Sequence, residues 1–564
     1  MNLIETNFNN KRLGYSWVTL FLTLIFFGVI LHIYLPNLGG SGLSLPLNII
    51  SNFSIALFIF LVSIIQLKRT TLFYSTASNL ISIGLIIFIF ICFFSPDAYR
   101  QSAYLTAYWI LGILVFYQLL MQINFSEVDC DIILWGILLA SVIESTLAIV
   151  QTFNLLPIAG LSYPPLSGER PYGIFQQVNV FSSFICVGIA SAVGLIIKIK
   201  KNTWYSLSII MISLILMSSV LPLSQSLTGY LSLFLVLIVF FIFARYYRKK
   251  ILLALFSIII GLILGYIIKI GLNVSDVSEM KLHTSHIRWV LWQHSLSLFS
   301  ENFLWGTGVG SFESVFLERF GGNLISTSQS TMSHPHNEIL RWMVEGGLIG
   351  LLGICFITLG VFYLLRSSLR RQNYIYLVIA LPIFIHIMTE FPLWLSTPHG
   401  IVLILLLRCT DVSLKKQIIY KPIAIFSRSI LALGGVFSIT LLYLTLQAQQ
   451  YLTYIEKTGS QSILSTSNPA NNKWSYLLIA DRYCYDLNMG YLLRYNETHD
   501  NEYLKLFDIW AEDYSLKYPD ANVYYSWILV LNELDQKEKA KKIYKKAKWL
   551  FIKDERIEQI NLIN

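Results

Sequence analysis

The residues best suited to chemistry in this chain lie in the stretch SHPHNEILRWMVEGGLIG. Two histidines, His334 and His336, flank a proline, and the apolar segment that follows contains Asn337, Arg341 and Glu345. An imidazole that titrates near neutral pH can take a proton from a hydroxyl group, so His336 is a candidate general base. Ionisable residues at the mouth of a membrane helix are costly unless they are paired or hydrated, which makes this stretch a candidate functional site.

The polar residues of this stretch are spaced to share one side of a helix. Asn337, Arg341 and Glu345 recur every fourth residue, so a helix that begins near Asn337 places them on one face. Arg341 and Glu345 are one turn apart and can form an ion pair. The alternative is that this pair is structural and that His336 only caps the helix. A metal bound by His334 and His336 is a further alternative, but no carboxylate spacing completes such a site, and neither a metal nor another cofactor is expected.

Two other polar segments border apolar ones. The segment GERPYGIFQQVNVFSS places Arg170, Gln177 and Asn179 directly before an apolar run, where the amides either orient a ligand or cap a helix. In SHIRWVLWQHSLSLF, Arg288 and the neighbouring tryptophans have the spacing of an amphipathic helix at a membrane interface. Guanidinium groups pair bidentately with phosphate, so Arg288 is a candidate phosphate-binding residue. Tryptophan at that depth is also expected without any catalytic role.

The elements that must position these residues are membrane helices. The chain has 564 residues, of which 55% are hydrophobic and only 13% are charged, whereas soluble domains have about 25% charged residues. The apolar runs predict an all-α polytopic membrane protein with about 12 or 13 transmembrane helices. The runs lie near 15–36, 48–67, 73–94, 104–122, 132–152, 178–198, 205–222, 227–244, 251–270, 338–365, 374–394, 397–409 and 429–448. The twelfth run is short and is a candidate half-span.

Basic residues in the loops indicate how these helices are oriented. Clusters such as Lys68 with Arg69 fall on one side of the predicted bundle, whereas the short loops opposite carry only Arg100 and Arg170. The positive-inside rule then places the N-terminus in the cytoplasm and residues 449–564 outside. The net charge of +9 is explained by this topology, and no nucleic acid partner is expected.

Taken together, these segments resemble the bacterial O-antigen ligase and polymerase superfamily. The ligase branch has His followed by Asn, Ser or Gln, then nine residues and a GxxG motif. Here His336 and Asn337 precede nine residues and the glycines Gly347 and Gly350, with Glu345 before the glycines as in the family. The sequence GTGVGSF, which ends at residue 312, resembles the start of the large periplasmic loop of that family.

Within the superfamily, the resemblance is to the PglL-type protein O-oligosaccharyltransferases. RPYGIFQQVN is similar to the Arg–Gly–Gln–x–Asn stretch of this branch, which carries over onto Gln177 and Asn179. TEFPLW, with Glu390, is similar to the E-x-P-L-aromatic motif of the branch. Trp394 stands where the branch often has Tyr, and an indole cannot act as an acid or base. The region after the last span resembles the extra C-terminal region of the branch and favours a protein acceptor over lipid A.

The resemblance implies an enzyme of GT-C-like architecture in the bacterial inner membrane. It implies transfer of a whole oligosaccharide from undecaprenyl diphosphate to Ser or Thr hydroxyls of periplasmic proteins, pilin or others, with His336 as the general base. The implied diphosphate-binding residues are Arg288, Arg170 and Arg341. The residues implied to orient donor and acceptor are Gln177, Asn179, Asn337, His334, Glu345 and Glu390.

Spans and loops divide the chain into four parts. These are 1–270 with transmembrane helices 1–9, 271–337 as a periplasmic loop with an amphipathic helix, 338–448 with transmembrane helices 10–13, and 449–564 as a periplasmic helical domain. The segment YYSWILVLNELDQKEKAKKIYKKA resembles a single tetratricopeptide-like hairpin, which cannot bury a core alone. Its apolar residues at helical spacing are Ala540, Ile543, Tyr544, Ala547 and Leu550.

Other functions stay open at this point. The same fold can act as an O-antigen ligase that transfers glycan to the lipid A core, or as an O-antigen polymerase. A transporter is a remoter alternative, since transporters place charged residues near the midplane and show inverted repeats, and no repeat is visible here.

Overall fold

The computed structural model is almost entirely helical over the residues it describes. These are residues 19, 23–35, 37, 39–40, 42–153, 170–199, 204–274, 276–324, 334–371, 373–459, 462–465, 473–552 and 554–560. In this part of the chain one small antiparallel sheet is present, in which β1 (Thr71–Tyr74) pairs with β2 (Lys415–Ile418).

The helices are numbered in chain order. They are α1 Thr23–His32, α2 Pro46–Ile65, α3 Thr76–Cys92, α4 Arg100–Met121, α5 Glu127–Thr152, α6 Val178–Lys198, α7 Trp204–Ser224, α8 Leu227–Phe243, α9 Arg248–Gly271, α10 Ser278–Glu301, α11 Phe312–Leu324, α12 Glu338–Arg371, α13 Ile375–Thr389, α14 Pro392–Leu395, α15 Thr397–Thr410, α16 Lys421–Thr458, α17 Ser462–Ser465, α18 Ala480–Thr498, α19 Asn501–Lys517, α20 Ala521–Glu533, α21 Lys537–Leu550 and α22 Glu555–Glu558. A 3-10 helix, Lys473–Ile479, precedes α18.

The predicted all-α polytopic membrane fold is confirmed. Among the described residues, eight helices are long and apolar enough to cross a membrane, namely α2, α4, α5, α6, α7, α9, α12 and α16. Five shorter apolar helices, α1, α3, α8, α13 and α15, correspond to the remaining predicted runs. The short twelfth run is α15, in which every residue except Leu405 is buried, so this helix lies inside the bundle and is shielded from lipid.

Helix α6 occupies the centre of the bundle. All residues from Val180 to Ile197 are buried, because α6 packs against α5, α7, α8 and α13. A helix surrounded by other helices is expected to be apolar on every side, and the sequence of α6 is apolar in this way. The few polar side chains it carries therefore need hydrogen-bond partners within the protein.

Helix α12 is broken at Gly347, which has φ +58° and ψ −146°. The connection between α10 and α11 inserts its backbone at this break: Leu348 N donates to Phe303 O over 2.7 Å, and Thr307 N donates to Val344 O over 2.9 Å. A Cβ on Gly347 would lie 2.7 Å from the carbonyl of Leu304. The first glycine of the GxxG motif is therefore required by the backbone conformation and by close contact.

The loop between the two groups of spans and the C-terminal helices form one packed unit. Leu291 and Leu298 of α10 and Phe316 of α11 share a hydrophobic core with Phe507 of α19 and Trp527 of α20. The predicted hairpin is α20 with α21, and α18 with α19 forms a second one. The residues predicted at helical spacing that are buried are Ala540, Ile543, Ala547 and Leu550, while Tyr544 is partly buried against the same core.

Helix α16 contains the last predicted span and continues beyond it toward the C-terminal helices. It runs without interruption from Lys421 to Thr458, so it passes the predicted boundary at residue 449 and carries the chain directly into the C-terminal region. Arg482 of α18 is fixed to its end through two hydrogen bonds of 2.8 Å to Glu456.

Candidate active site

Four side chains, three of them more than 100 residues away in the sequence, converge on the carboxylate of Glu390, which is only 2% exposed. The donors and their distances to the Glu390 oxygens are Asn179 Nδ2 at 2.6 Å, Gln177 Nε2 at 2.8 Å, an Arg288 guanidinium nitrogen at 3.1 Å and His386 Nε2 at 3.2 Å. We call these five residues the Glu390 cluster. Three of them, Gln177, Asn179 and Glu390, are predicted as orienting residues from the sequence, and Arg288 as a diphosphate-binding residue.

The Glu390 cluster is held by helix ends. Gln177 is the N-cap of α6, and its Oε1 accepts a hydrogen bond from Val180 N over 3.2 Å. Asn179 Oδ1 accepts a hydrogen bond of 2.6 Å from Ser226, the N-cap of α8. Glu390 directly follows α13. The amide oxygens therefore bind helix ends, as expected if these residues were only caps. The amide nitrogens, however, donate to the Glu390 carboxylate.

The charge of Glu390 is stabilised despite its burial. Burial raises the pKa of this carboxyl, but the hydrogen bonds from His386 and Gln177 and the charge of Arg288 outweigh burial and lower the pKa below its ordinary value. Glu390 is therefore an anion throughout the physiological pH range, and it can only accept hydrogen bonds.

The segment before α6 is shaped by α5. Gln151 Oε1 accepts hydrogen bonds from Tyr172 N and Gly173 N, and its Nε2 donates to Gly173 O over 2.8 Å. Glu144 accepts a hydrogen bond of 2.9 Å from Ile174 N. These two buried side chains fix the turn that delivers Gln177 to Glu390, and the sequence analysis did not identify them.

Arg170 lies at the start of this segment. Within the described part of the chain it forms no ion pair, and burial lowers its pKa. The structure therefore does not bring Arg170 into contact with the Glu390 cluster, and its predicted role in diphosphate binding stays a prediction. The neighbouring Gly168 and Glu169 lie outside the described residues.

The segment before α12 holds His336 in an unusual backbone conformation. His336 has φ +52°, in the left-handed region that residues other than glycine rarely adopt. Its backbone N–H donates to His334 Nδ1 over 2.9 Å, and Trp292 Nε1 of α10 donates to Pro335 O over 3.0 Å. The ring of His334 stacks on Phe391 with centroids 3.6 Å apart. Contacts from α10 and from Phe391, together with a hydrogen bond inside the turn, thus hold a strained conformation.

Several polar atoms in this turn have no partner. His334 Nε2, His336 Nδ1 and Glu338 Oε2 are buried and have no hydrogen-bond partner among the described residues. His334 Nε2 and Glu338 Oε2 lie 3.8 Å apart, beyond hydrogen-bond distance, which leaves His336 Nδ1 as the atom without a charged neighbour of this kind. Burial lowers the pKa of His336; the charge of Glu390 raises it and that of Arg288 lowers it further, so the pKa falls below its ordinary value. His336 is therefore a neutral imidazole near pH 7, the form that accepts a proton.

The predicted ion pair of α12 is confirmed. Arg341 Nε lies 3.2 Å from Glu345 Oε2, and a second carboxylate, that of Glu338, lies 3.8 Å from the same guanidinium. The guanidinium carbon lies 4.9 Å from the ring centre of Trp394, which fits a cation–π contact. Glu345 Oε1 also accepts a hydrogen bond of 3.3 Å from Phe312 N, so this pair joins α12 to α11.

Asn337 is the cap of α12. Its Oδ1 accepts a hydrogen bond from Leu340 N, and its Nδ2 donates to Met388 O, both over 3.1 Å. The Asn that follows His in the motif therefore ties the start of α12 to the end of α13, which is where Glu390 follows. It positions His336 against the Glu390 cluster.

An apolar cavity of about 500 Å³ borders the turn. Its wall includes Glu338, Arg341 and Trp394 together with apolar side chains of α3, α4, α13 and α15. A space of this chemistry can take a hydrocarbon chain whose polar end lies near the histidines.

The sequence analysis missed His386, which is a fully buried member of the Glu390 cluster. Two signals were available. It precedes Glu390 by one helical turn, and a histidine inside an apolar span is by default a functional candidate. The second signal applies equally to His399 of α15, which is also fully buried. Among the described residues, no group of three or more His, Cys, Asp or Glu is arranged to hold a metal ion.

Fold and site together define a helical membrane protein in which a neutral histidine faces a buried arginine–carboxylate cluster beside an apolar cavity. Residues 212–355 match the family described as O-Antigen ligase (Wzy_C). Residues 374–561 match the family described as Virulence factor membrane-bound polymerase, C-terminal (Wzy_C_2). No curated protein matches the chain.

The two matched segments together cover more than half of the chain, and they contain Arg288, His336, His386 and Glu390. The protein belongs to the O-antigen ligase and polymerase superfamily. Membership implies glycosyl transfer of the ligase or polymerase type, carried out within a membrane on lipid-linked glycans.

Proposed function

We propose that this protein transfers an oligosaccharide as a whole from undecaprenyl diphosphate to Ser or Thr hydroxyls of periplasmic proteins, pilin or others. The observation that carries the proposal is the buried, unpartnered Nδ1 of His336 beside the Glu390 cluster. A buried polar atom without a partner costs about 1–3 kcal/mol. A reacting hydroxyl that donates to this nitrogen would remove that cost at the point where a proton must be taken.

The chemistry is a single displacement. The acceptor hydroxyl oxygen attacks the anomeric carbon, the bond from that carbon to the diphosphate oxygen breaks, and the configuration inverts. The hydroxyl proton passes to His336, and undecaprenyl diphosphate leaves with the bonding electron pair. No metal or cofactor takes part in this proposal. A general base of this type contributes about 10²–10⁴-fold to the rate.

Arg288 is the best placed of the three arginines to hold the leaving diphosphate. Its side chain is 31% exposed, although it is paired with buried Glu390, so it can contact a ligand as well. Arg341 lies between two carboxylates and its charge is already compensated, which makes it a weaker candidate. Positive charge placed where negative charge develops stabilises the transition state. The apolar cavity next to Glu338 is the proposed place for the polyprenyl chain.

The proposed setting is the bacterial inner membrane, with a cytoplasmic N-terminus and a periplasmic C-terminal domain. The exposed lysines of β2, Lys415 and Lys416, support this orientation because they follow α15 at the end remote from His399 and the Glu390 cluster. Under the positive-inside rule this end faces the cytoplasm. The Glu390 cluster then faces the periplasm, where lipid-linked glycans and acceptor proteins meet.

A second candidate function is favoured by the descriptions of the two matched families, which name a ligase and a polymerase. In that case the acceptor is the lipid A core or a second lipid-linked glycan. The Glu390 cluster and His336 would do the same chemistry, because only the acceptor hydroxyl differs.

The deciding experiment expresses wild-type protein and a His336→Asn variant in a host that makes a lipid-linked glycan and a Ser/Thr-bearing periplasmic protein. Asparagine tolerates the left-handed conformation of His336 and removes the base. Intact mass spectrometry of the acceptor protein and analysis of lipid A are read in parallel. A glycan-sized mass on the protein, absent with His336→Asn at equal membrane levels, supports the proposal. Sugar on lipid A alone moves the protein to the ligase function.

A further inference from the structure

A chain of buried hydrogen bonds runs from the interior of the bundle to Glu390. The contacts in order are Ser396 Oγ to His399 Nδ1 at 2.8 Å, His399 Nε2 to Ser183 Oγ at 3.0 Å, Ser183 Oγ to His386 Nδ1 at 2.7 Å, and His386 Nε2 to Glu390 Oε2 at 3.2 Å. The two serines and the two histidines are all fully buried. We call these four residues the serine–histidine chain.

The ionised state of Glu390 sets the direction of this chain. A carboxylate only accepts, so His386 Nε2 carries a proton and donates it to Glu390. In neutral His386, Nδ1 then accepts the hydrogen bond of the Ser183 hydroxyl, whose oxygen accepts from His399 Nε2. The Ser183 hydroxyl also lies 3.0 Å from Val180 O, so it can turn to that carbonyl when His386 holds a second proton. In both states His386 Nε2 is the donor to Glu390.

Packing alone does not account for these side chains. Ser183 lies on α6 and His399 on α15, two helices that are buried almost throughout, where an imidazole or hydroxyl without hydrogen bonds is costly because it has lost its water. Buried polar networks whose members are all satisfied fix a single geometry. Here the network ends at Glu390, the residue that holds Arg288.

We propose that Glu390 is a positioning residue that sets the place of Arg288, and that the serine–histidine chain locks the Glu390 carboxylate. This inference rests on the proposed function, in which Arg288 binds the diphosphate. Glu390 is 2% exposed and Arg288 is 31% exposed at the side chain, so the arginine can contact substrate while the carboxylate acts through it. Groups that orient a ligand-binding side chain in this way commonly change activity by about 10–100-fold when they are removed.

The first test is a double-mutant cycle with Arg288→Ala and Glu390→Gln. Glutamine has the size of glutamate, but its NH₂ group would face side chains that donate hydrogen bonds, so it cannot accept from them. We expect Glu390→Gln to raise KM for the lipid-linked donor more than it lowers kcat, with kcat/KM lower by at least about tenfold. If Glu390 acts through Arg288, the double variant is no worse than Arg288→Ala within about threefold, because coupled residues are not additive. Losses that multiply would overturn the positioning role.

The second test uses a milder pair of variants on one helix. Ser183→Ala removes the link between the two histidines. Ser182→Ala is the matched control, since Ser182 is also fully buried and its hydroxyl lies 2.9 Å from Ser224 Oγ, outside the chain. We expect Ser183→Ala to lower kcat/KM by about three- to tenfold and Ser182→Ala to leave it unchanged. Equal effects of the two variants would contradict the proposal that the serine–histidine chain locks Glu390.

A third readout needs no substrate. Solid-state NMR of ¹⁵N-histidine-labelled protein in lipid bilayers reports which ring nitrogen carries the proton. We expect a protonated Nε2 in His386, and a shift of the His386 and His399 signals in Ser183→Ala but not in Ser182→Ala. A His386 protonated only at Nδ1 would overturn the chain. If the wild-type protein transfers no glycan but shows the expected tautomer, the proposed function fails while the chain is supported.

Discussion

The Glu390 cluster and the turn around His336 lie side by side but satisfy their polar atoms in opposite ways. Each oxygen of Glu390 accepts two hydrogen bonds. Of the four donors, Gln177 and Asn179 are also bound at helix ends, and His386 is bound to Ser183. In the turn, His334 Nε2 and His336 Nδ1 are buried without a hydrogen-bond partner among the described residues, and His336 is strained at φ +52°.

This difference is the one expected between a rigid support and the surface on which a reaction takes place. A fully satisfied polar cluster loses hydrogen bonds whenever one member moves, so it is rigid. A strained residue with an unpartnered atom is retained only because the surrounding structure over-determines it, and such sites are frequent where ligands bind. We therefore expect substitution of His336 to remove activity and leave stability nearly unchanged, whereas breaking the buried Arg341–Glu345 pair mainly lowers stability.

The largest expected effect on activity is that of His336→Asn. Loss of a general base lowers the transfer rate by about 10²–10⁴-fold. The matched control is His499→Asn, because His499 is another left-handed histidine, with φ +53°, and it lies at the end of α18 away from the site. Single-turnover transfer to an acceptor peptide is the measurement. Equal activity of the two variants would show that His336 is not the base.

The largest expected effect on stability is that of Glu345→Gln. It leaves the buried Arg341 guanidinium short of its nearest carboxylate, and breaking one partner of a buried pair costs about 3–5 kcal/mol. The control is Glu497→Gln, whose partner Arg494 lies at the surface, and which we expect to leave the unfolding midpoint unchanged. Thermal unfolding in detergent is the measurement. A small loss of stability together with a large loss of activity would instead place Arg341 in the reacting surface.

A smaller effect on stability is expected for Gly347→Ala. The left-handed conformation at the break of α12 costs about 1–3 kcal/mol for alanine, and its Cβ would press on Leu304 and Gly306. Gly434→Ala in α16 is the control, since nothing lies within 4 Å of its Cβ position, and a helical alanine there is neutral or stabilising by up to about 1 kcal/mol. If both variants unfold at the same temperature, the insertion at the break is not a stability determinant.

The smallest expected effect is on the pH dependence of the transfer rate. It tests most directly how the Glu390 cluster acts on His336. The pKa of His336 is lowered, so its neutral form persists below the ordinary range of histidine and transfer falls only at lower pH. Arg288 lowers this pKa and Glu390 raises it. The acid limb of the rate profile should therefore move to higher pH in Arg288→Ala and to lower pH in Glu390→Gln. Shifts in the same direction, measured on the residual rates, would contradict the assignment of the limb to His336.

The sequence predicted the bundle well because the bilayer permits few solutions. Hydropathy located the spans, and a spacing of four residues correctly paired Arg341 with Glu345. Resemblance to known motifs found Gln177, Asn179 and Glu390, but it did not show that the two amides bind Glu390, since these contacts join residues more than 200 positions apart.

Other features depend on contacts that no local pattern encodes. The link from His386 through Ser183 to His399 exists only when α6, α13 and α15 pack together. The break at Gly347 is understood only with the inserted backbone near Leu304 in view. Arg170 is a different case. Its motif is present, but the structure shows no contact between Arg170 and the Glu390 cluster.

The shared core of α10, α11 and the C-terminal helices has a consequence for engineering. Arg288 and Trp292 lie on α10, which packs on α11, and α11 in turn packs on α19 and α21 within one shared hydrophobic core. The C-terminal region is therefore not an exchangeable cassette. A chimera that exchanges it for the C-terminal region of a relative must carry the matching α10 and α11, or the placement of Arg288 will change as well.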